Sequence, residues 1–196
     1  RGFVLVFAGG LAVAAALFAA GLGPRADFLT ALGSSWRFVL KFVVTLGLAA
    51  AAAPLVLRSA RPEGSAGRGG AGRSGVRLAV APVLLVAAAA VELFVTPRSA
   101  WMAQAVGANA LACVVAVIVL SVAPLAAALY ALKRGASSAP AITGALAGLL
   151  SGSLAGALYG AHCMDDSPLF VATWYTLGVA IVTLAGAMIG GRALRL

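Results

Sequence analysis

Six apolar stretches dominate this chain, and each is long enough to cross a bilayer. They run roughly over residues 3–22, 38–57, 78–95, 107–132, 141–161 and 168–189. A hydrocarbon layer about 30 Å thick needs about 20 residues at a rise of about 1.5 Å each. Lipid offers no partners to backbone N–H and C=O groups, so only helices or closed barrels span it. The stretches lack the period-two alternation of a barrel strand, and Ala and Leu dominate them. The charge content points the same way. Only 10% of residues are charged and 63% are hydrophobic, against roughly 25% charged in a soluble domain. The expected fold is all-α: a polytopic six-helix transmembrane bundle forming a single domain over residues 1–196.

The connections orient the bundle. One side collects Arg1, Arg58, Arg61, Arg68, Arg73, Arg77, Lys133, Arg134, Arg192 and Arg195. The other holds Arg25, Arg37, Lys41 and Arg98. Basic residues stay on the cytoplasmic side, so both chain ends are expected there. Trp36, Trp101 and Trp174 all fall near the outer helix ends, where indole rings anchor at headgroups. The net charge of +9 then reads as loop retention and contact with anionic lipid. No loop interleaves basic residues with aromatics as a nucleic-acid surface would. Residues 58–77 contain a Gly/Ser/Arg tract, expected as a cytoplasmic loop. The chain opens on Arg, and an upstream cytoplasmic tail is expected to precede it; no cleavable leader is visible.

The fifth stretch carries Gly144, Gly148, Gly152, Gly156 and Gly160 at steps of four. Such a stripe lets another backbone approach closely, as packing in lipid favours. A helix of the same chain is the expected partner, with a second copy as the alternative. Lys41 and Glu92 lie at matching depth near the outer ends of their helices, so an ion pair between them is expected. Independent snorkelling of each to water is the rival reading.

The reactive groups gather between the last two stretches, in "YGAHCMDDSPLFVATWY". His162, Cys163, Asp165 and Asp166 stand within five positions. Cys163 lies 23 residues beyond Pro140, roughly 35 Å along a helix, and Cys113 lies 20 residues before Lys133, roughly 30 Å. Both counts end on the outer face. Three readings stay open at this point: a structural disulfide, thiols that respond to oxidants or ligate a soft metal together with His162, and inert cysteines. The spacing matches no standard zinc motif. No resident cofactor is expected beyond such a transient soft metal ion. Ser167 is expected to cap the last helix and Pro168 to occupy its first turn. Asp165 and Asp166 would favour the positive end of that helix. No CxxC, HExxH, GxSxG or phosphate-loop motif occurs, so the chain does not read as an enzyme.

These residues resemble a family. "HCMDDSPLFVATWY" is similar to the signature of the NrsF-type membrane anti-sigma factors. "FVLK" ending at Lys41, "ARPEG" from Ala60, "VELF" around Glu92, "GANALAC" ending at Cys113, Pro124 and "LKRGA" follow in matching order. The resemblance implies a bacterial inner-membrane protein that holds an extracytoplasmic-function sigma factor and releases it on envelope, oxidative or heavy-metal stress. It implies sensing at Cys113 and Cys163, and it carries over His162, Asp165, Asp166 and Ser167. The implied partner binds a cytoplasmic surface that includes the upstream tail. The alternative is a small membrane transporter or channel for a metal or organic ion. The mild polar residues Thr45, Ser121, Ser151 and Ser153 draw no path for one.

Overall fold

The computed structural model describes residues 2–60, 71–133 and 139–194. Six helices in it are long and apolar enough to cross a membrane, and no strand occurs among the described residues. We number the helices α1 (Gly2–Gly21), α2 (Phe28–Ser34), α3 (Trp36–Ser59), α4 (Ala71–Val95), α5 (Trp101–Val106), α6 (Ala110–Leu132), α7 (Pro140–Gly160) and α8 (Pro168–Ala193). The short α2 and α5 sit in connections; the other six are the spans.

Alternation of six spans puts three connections (22–35, 96–109 and 161–167) at one end of the bundle, here the connection end. The opposite end holds the start of α1 and the end of α8. The expected loop at 58–77 is narrower in the structure. Helix α3 runs to Ser59 and α4 begins at Ala71. Residues 61–70 of that loop lie outside the described residues.

Helix α7 forms the centre. In its most apolar window 61% of residues are buried, against 22% for α1 and 17% for the α4 span. It packs along α8, α3 and α6, while α1 leans on α6 and α4 on α3. The glycine stripe explains this position. A Cβ added at Gly144 would strike the backbone of Gly186 and Gly190, and one at Gly148 would strike Val182 O and Thr183 Cα. Gly186 in turn faces Gly144 and Gly148. The partner is thus α8 of the same chain. Towards the connection end the stripe changes neighbours. Gly156 faces Thr45 and Tyr175, and Gly160 faces Phe42 and Tyr175, at 3.3–3.9 Å. The α7–α8 hairpin is therefore zipped backbone to backbone at the terminal end and padded by side chains at the other.

Candidate functional site

The connection end is built from charges the chain can scarcely hold in lipid unless they are paired. Lys41 is 1% exposed. Its Nζ lies 2.6 Å from Asp166 Oδ1 and donates to the carbonyls of Cys163 at 2.9 Å and Asp165 at 3.2 Å. Asp166 also accepts from Arg25 Nη1 at 3.0 Å. Arg25 reaches the Cys163 carbonyl at 3.4 Å and forks onto Asp27 at 2.6 and 2.7 Å. These partners hold the Asp27 carboxyl below its usual range and the Arg25 guanidinium above its own. Both cations pack on the Phe38 ring, 5.0 Å from Arg25 and 5.3 Å from Lys41.

The expected Lys41–Glu92 pair is therefore not the one formed. Glu92, fully buried, takes the Arg37 fork instead: Nη2 to Oε1 at 2.9 Å and Nε to Oε2 at 3.1 Å. Thr96 adds a hydroxyl bond at 3.2 Å. Depth alone does not choose between two bases one turn apart. The planar guanidinium meets a carboxylate with two parallel bonds, which an ammonium does not. Arg37 thus fastens α3 to α4, and Lys41 is left to the 161–167 connection.

That connection is tied to its neighbours residue by residue. His162 Nδ1 lies 3.0 Å from the Gly23 carbonyl, after α1. Asp165 accepts from the backbone N–H groups of Ala108 and Asn109 and from Asn109 Nδ2, at 3.2, 3.0 and 2.8 Å. It therefore fixes the turn that leads into α6, where sequence reasoning placed it at the start of α8. Gly107, at φ +59°, leaves room for it: a Cβ there would strike the Asp165 carboxyl carbon and the Phe170 ring. Ser167 caps α8 as expected, accepting from Leu169 N at 3.3 Å, with Pro168 in the first turn. Its hydroxyl also donates to Gln104 of α5 at 3.2 Å. A π-helical segment, Val171–Tyr175, follows. Trp174 within it donates to the Ala105 carbonyl at 2.8 Å.

Beneath this polar layer lie the sulfur atoms. Cys113 lies in the first turn of α6 and Cys163 sits in the connection; both are free thiols, 0% and 1% exposed. They share one buried cluster with Tyr159, Phe170, Val171 and Tyr175. Burial pushes the Cys163 thiol above its ordinary value, opposed in part by the Lys41 ammonium.

The metal set expected from Cys113, Cys163 and His162 does not assemble. No group of three or more His, Cys, Asp or Glu placed to hold a metal ion occurs among the described residues. The reason is visible in the partners: His162 faces Gly23, Asp165 holds the turn before α6, and Asp166 serves two cations.

Sequence reasoning brought Cys113, Cys163 and the acidic pair to one end but missed Arg25, Arg37, Gly107 and Asn109. One signal was available. The connection end carries four bases and the acids Asp27, Glu92, Asp165 and Asp166, which suits mutual pairing better than lone snorkelling.

The family model for NrsF, described as negative regulator of sigma F, matches residues 1–196. The chain belongs to the NrsF family. It is a negative regulator of a sigma factor, and its six apolar helices fit a multi-pass membrane protein. No match was found among curated proteins or among solved structures. In this NrsF protein, His162, Cys163, Asp165, Asp166 and Ser167 join the residues after α1, the side chain of Lys41 on α3, α5 and the turn before α6 to the α7–α8 hairpin.

Proposed function

We propose that this NrsF protein is an anti-sigma factor of the bacterial inner membrane. It holds a sigma factor of the extracytoplasmic-function class at the cytoplasmic face, away from RNA polymerase, and releases it on envelope, oxidative or heavy-metal stress. One observation carries the sensing part: both cysteines lie in a single buried cluster at one end of the bundle, on two different structural units. Cys113 belongs to α6, and Cys163 belongs to the connection inside the α7–α8 hairpin.

The mechanism follows from the packing. The hairpin is zipped at Gly144, Gly148, Gly186 and Gly190, so it moves as one piece. Oxidation of the thiols, or capture of a soft metal ion between them, changes the fit of the hairpin against α6. A rigid hairpin carries that change to the terminal end, where Arg58, Arg77, Lys133 and Arg192 are exposed. The sigma-binding surface lies there, on the cytoplasmic side by the positive-inside rule. A signal shifts the balance between holding and releasing states only through its different affinity for the two.

The test replaces both Cys113 and Cys163 by Ser in the full-length protein and follows sigma-dependent transcription. Repression without stress should persist, and the response to oxidant or cadmium should disappear. An unchanged response removes the thiols from the mechanism.

A further inference from the structure

We propose that Lys41 is the positioning residue of the thiol-bearing connection: a latch from α3 that holds residues 163–166 closed over Cys163. The inference rests on the thiol-sensing reading above and names what keeps that site shut.

Three observations converge on it. First, the ammonium is fully buried, and its three polar contacts (Cys163 O, Asp165 O and Asp166 Oδ1) fall within four consecutive residues. A lysine that merely snorkelled would carry its head to water. This one turns into the protein and satisfies backbone acceptors of a connection with no helical ladder of its own. Second, Lys41 is anchored on the other side. It sits inside α3, which packs against α7, and its head lies on the Phe38 ring. The connection is thus fixed to a span, not to another loop. Third, the bond to the Cys163 carbonyl acts on the residue whose thiol is sealed. Freeing that carbonyl frees the backbone that keeps the sulfur inside.

The second cation, Arg25, is a weaker substitute. It reaches the same carbonyl only at 3.4 Å, and it divides its fork between Asp166 and Asp27. Removing Lys41 leaves Asp166 paired with Arg25. The carbonyls of Cys163 and Asp165 lose their ammonium donor. The expected consequence is a connection that opens, with the rest of the bundle intact.

The experiment uses the full-length protein in native membranes, with Cys113→Ser so that Cys163 is the one thiol left within residues 1–196, and labelling is read at that residue. Alkylation of Cys163 by a small maleimide is timed for the parent, Lys41→Met, Lys41→Arg and Arg37→Met. Sigma-dependent transcription without stress is measured for the same substitutions with both cysteines present. Lys41→Met should speed labelling at least tenfold and derepress transcription without any stressor. Lys41→Arg, which keeps the charge, should restore most of both. Arg37→Met loosens an ion pair at the same end that does not touch the connection, and should leave labelling near the parent rate. Should Lys41→Met accumulate too poorly to measure, Asp166→Asn removes one of the three partners and should give a smaller rise. Labelling of Lys41→Met or Asp166→Asn at the parent rate overturns the latch. So does an equal rise in Arg37→Met, which would mean general loosening. Faster labelling with transcription still repressed upholds the latch and counts against thiol sensing, so the two ideas fail separately.

Discussion

Lys41 Nζ and Asp166 Oδ1 stand 2.6 Å apart, joining the third helix of the chain to the last connection, at residues 161–167. Around that contact the bundle gathers its thiols, and from it several consequences follow.

The Arg37–Glu92 fork should be asymmetric under mutation. Glu92 is fully buried, whereas the Arg37 side chain is 40% exposed. Arg37→Met leaves a buried carboxylate without its cation and should cost about 3 kcal/mol, the low end for breaking a buried pair. Glu92→Gln leaves an arginine that turns to water and should cost less. Thermal unfolding in detergent, compared between the two variants, checks the order; equal losses would contradict it.

The glycine zipper gives a second prediction. Gly186→Ala places a methyl group against the backbone of Gly144 and Gly148, and overpacking of that kind costs about 1–3 kcal/mol. Gly9→Ala, with nothing within 4 Å of the added carbon, should leave the midpoint unchanged or raise it slightly. The difference between the two melting curves is the measurement.

Asp165 should matter through α6. Asp165→Ala strips the acceptor from the N–H groups of Ala108 and Asn109 and should cost about 1–3 kcal/mol. Cys113 lies in the first turn of that helix. In a Cys163→Ser background its alkylation should accelerate in Asp165→Ala and fall back towards the parent rate in Asp165→Asn.

The pH dependence of Cys163 follows from burial. Its thiol is held above the ordinary 9.0, so the native state keeps the proton where the unfolded chain loses it. This favours folding below about pH 9, and the contribution declines as pH rises through the unfolded value. In a Cys113→Ser background, alkylation in SDS should rise through that range. Alkylation in native membranes should rise only at higher pH. Coincident profiles would contradict a sealed thiol.

Much of this architecture is legible in the sequence, for a physical reason. Span length and apolarity are set by the bilayer, so the six helices emerge at nearly their observed bounds. Rise per residue carries Cys113 and Cys163 to the same end by counting. Azimuth is another matter. Lys41 and Arg37 stand one turn apart on α3, and only the packing of α3 between α4 and α7 decides which base meets Glu92. Asp165 was expected to serve the helix that follows it, yet it binds the turn before α6, where Gly107 leaves room for its carboxyl group. The partner of the α7 stripe was readable too: Gly178, Gly186 and Gly190 recur at multiples of four on α8, but an apolar run hides small residues unless the two helices are compared.

The most direct measurement is where the sigma factor resides. Membranes from cells making the full-length protein should be sedimented before and after exposure to oxidant or cadmium, and the sigma factor quantified in pellet and supernatant. It should be membrane-bound before stress and soluble after it. With Cys113→Ser and Cys163→Ser together, it should stay in the pellet throughout. A sigma factor that is soluble under both conditions, or one that leaves the membrane equally well without the two thiols, would contradict the account.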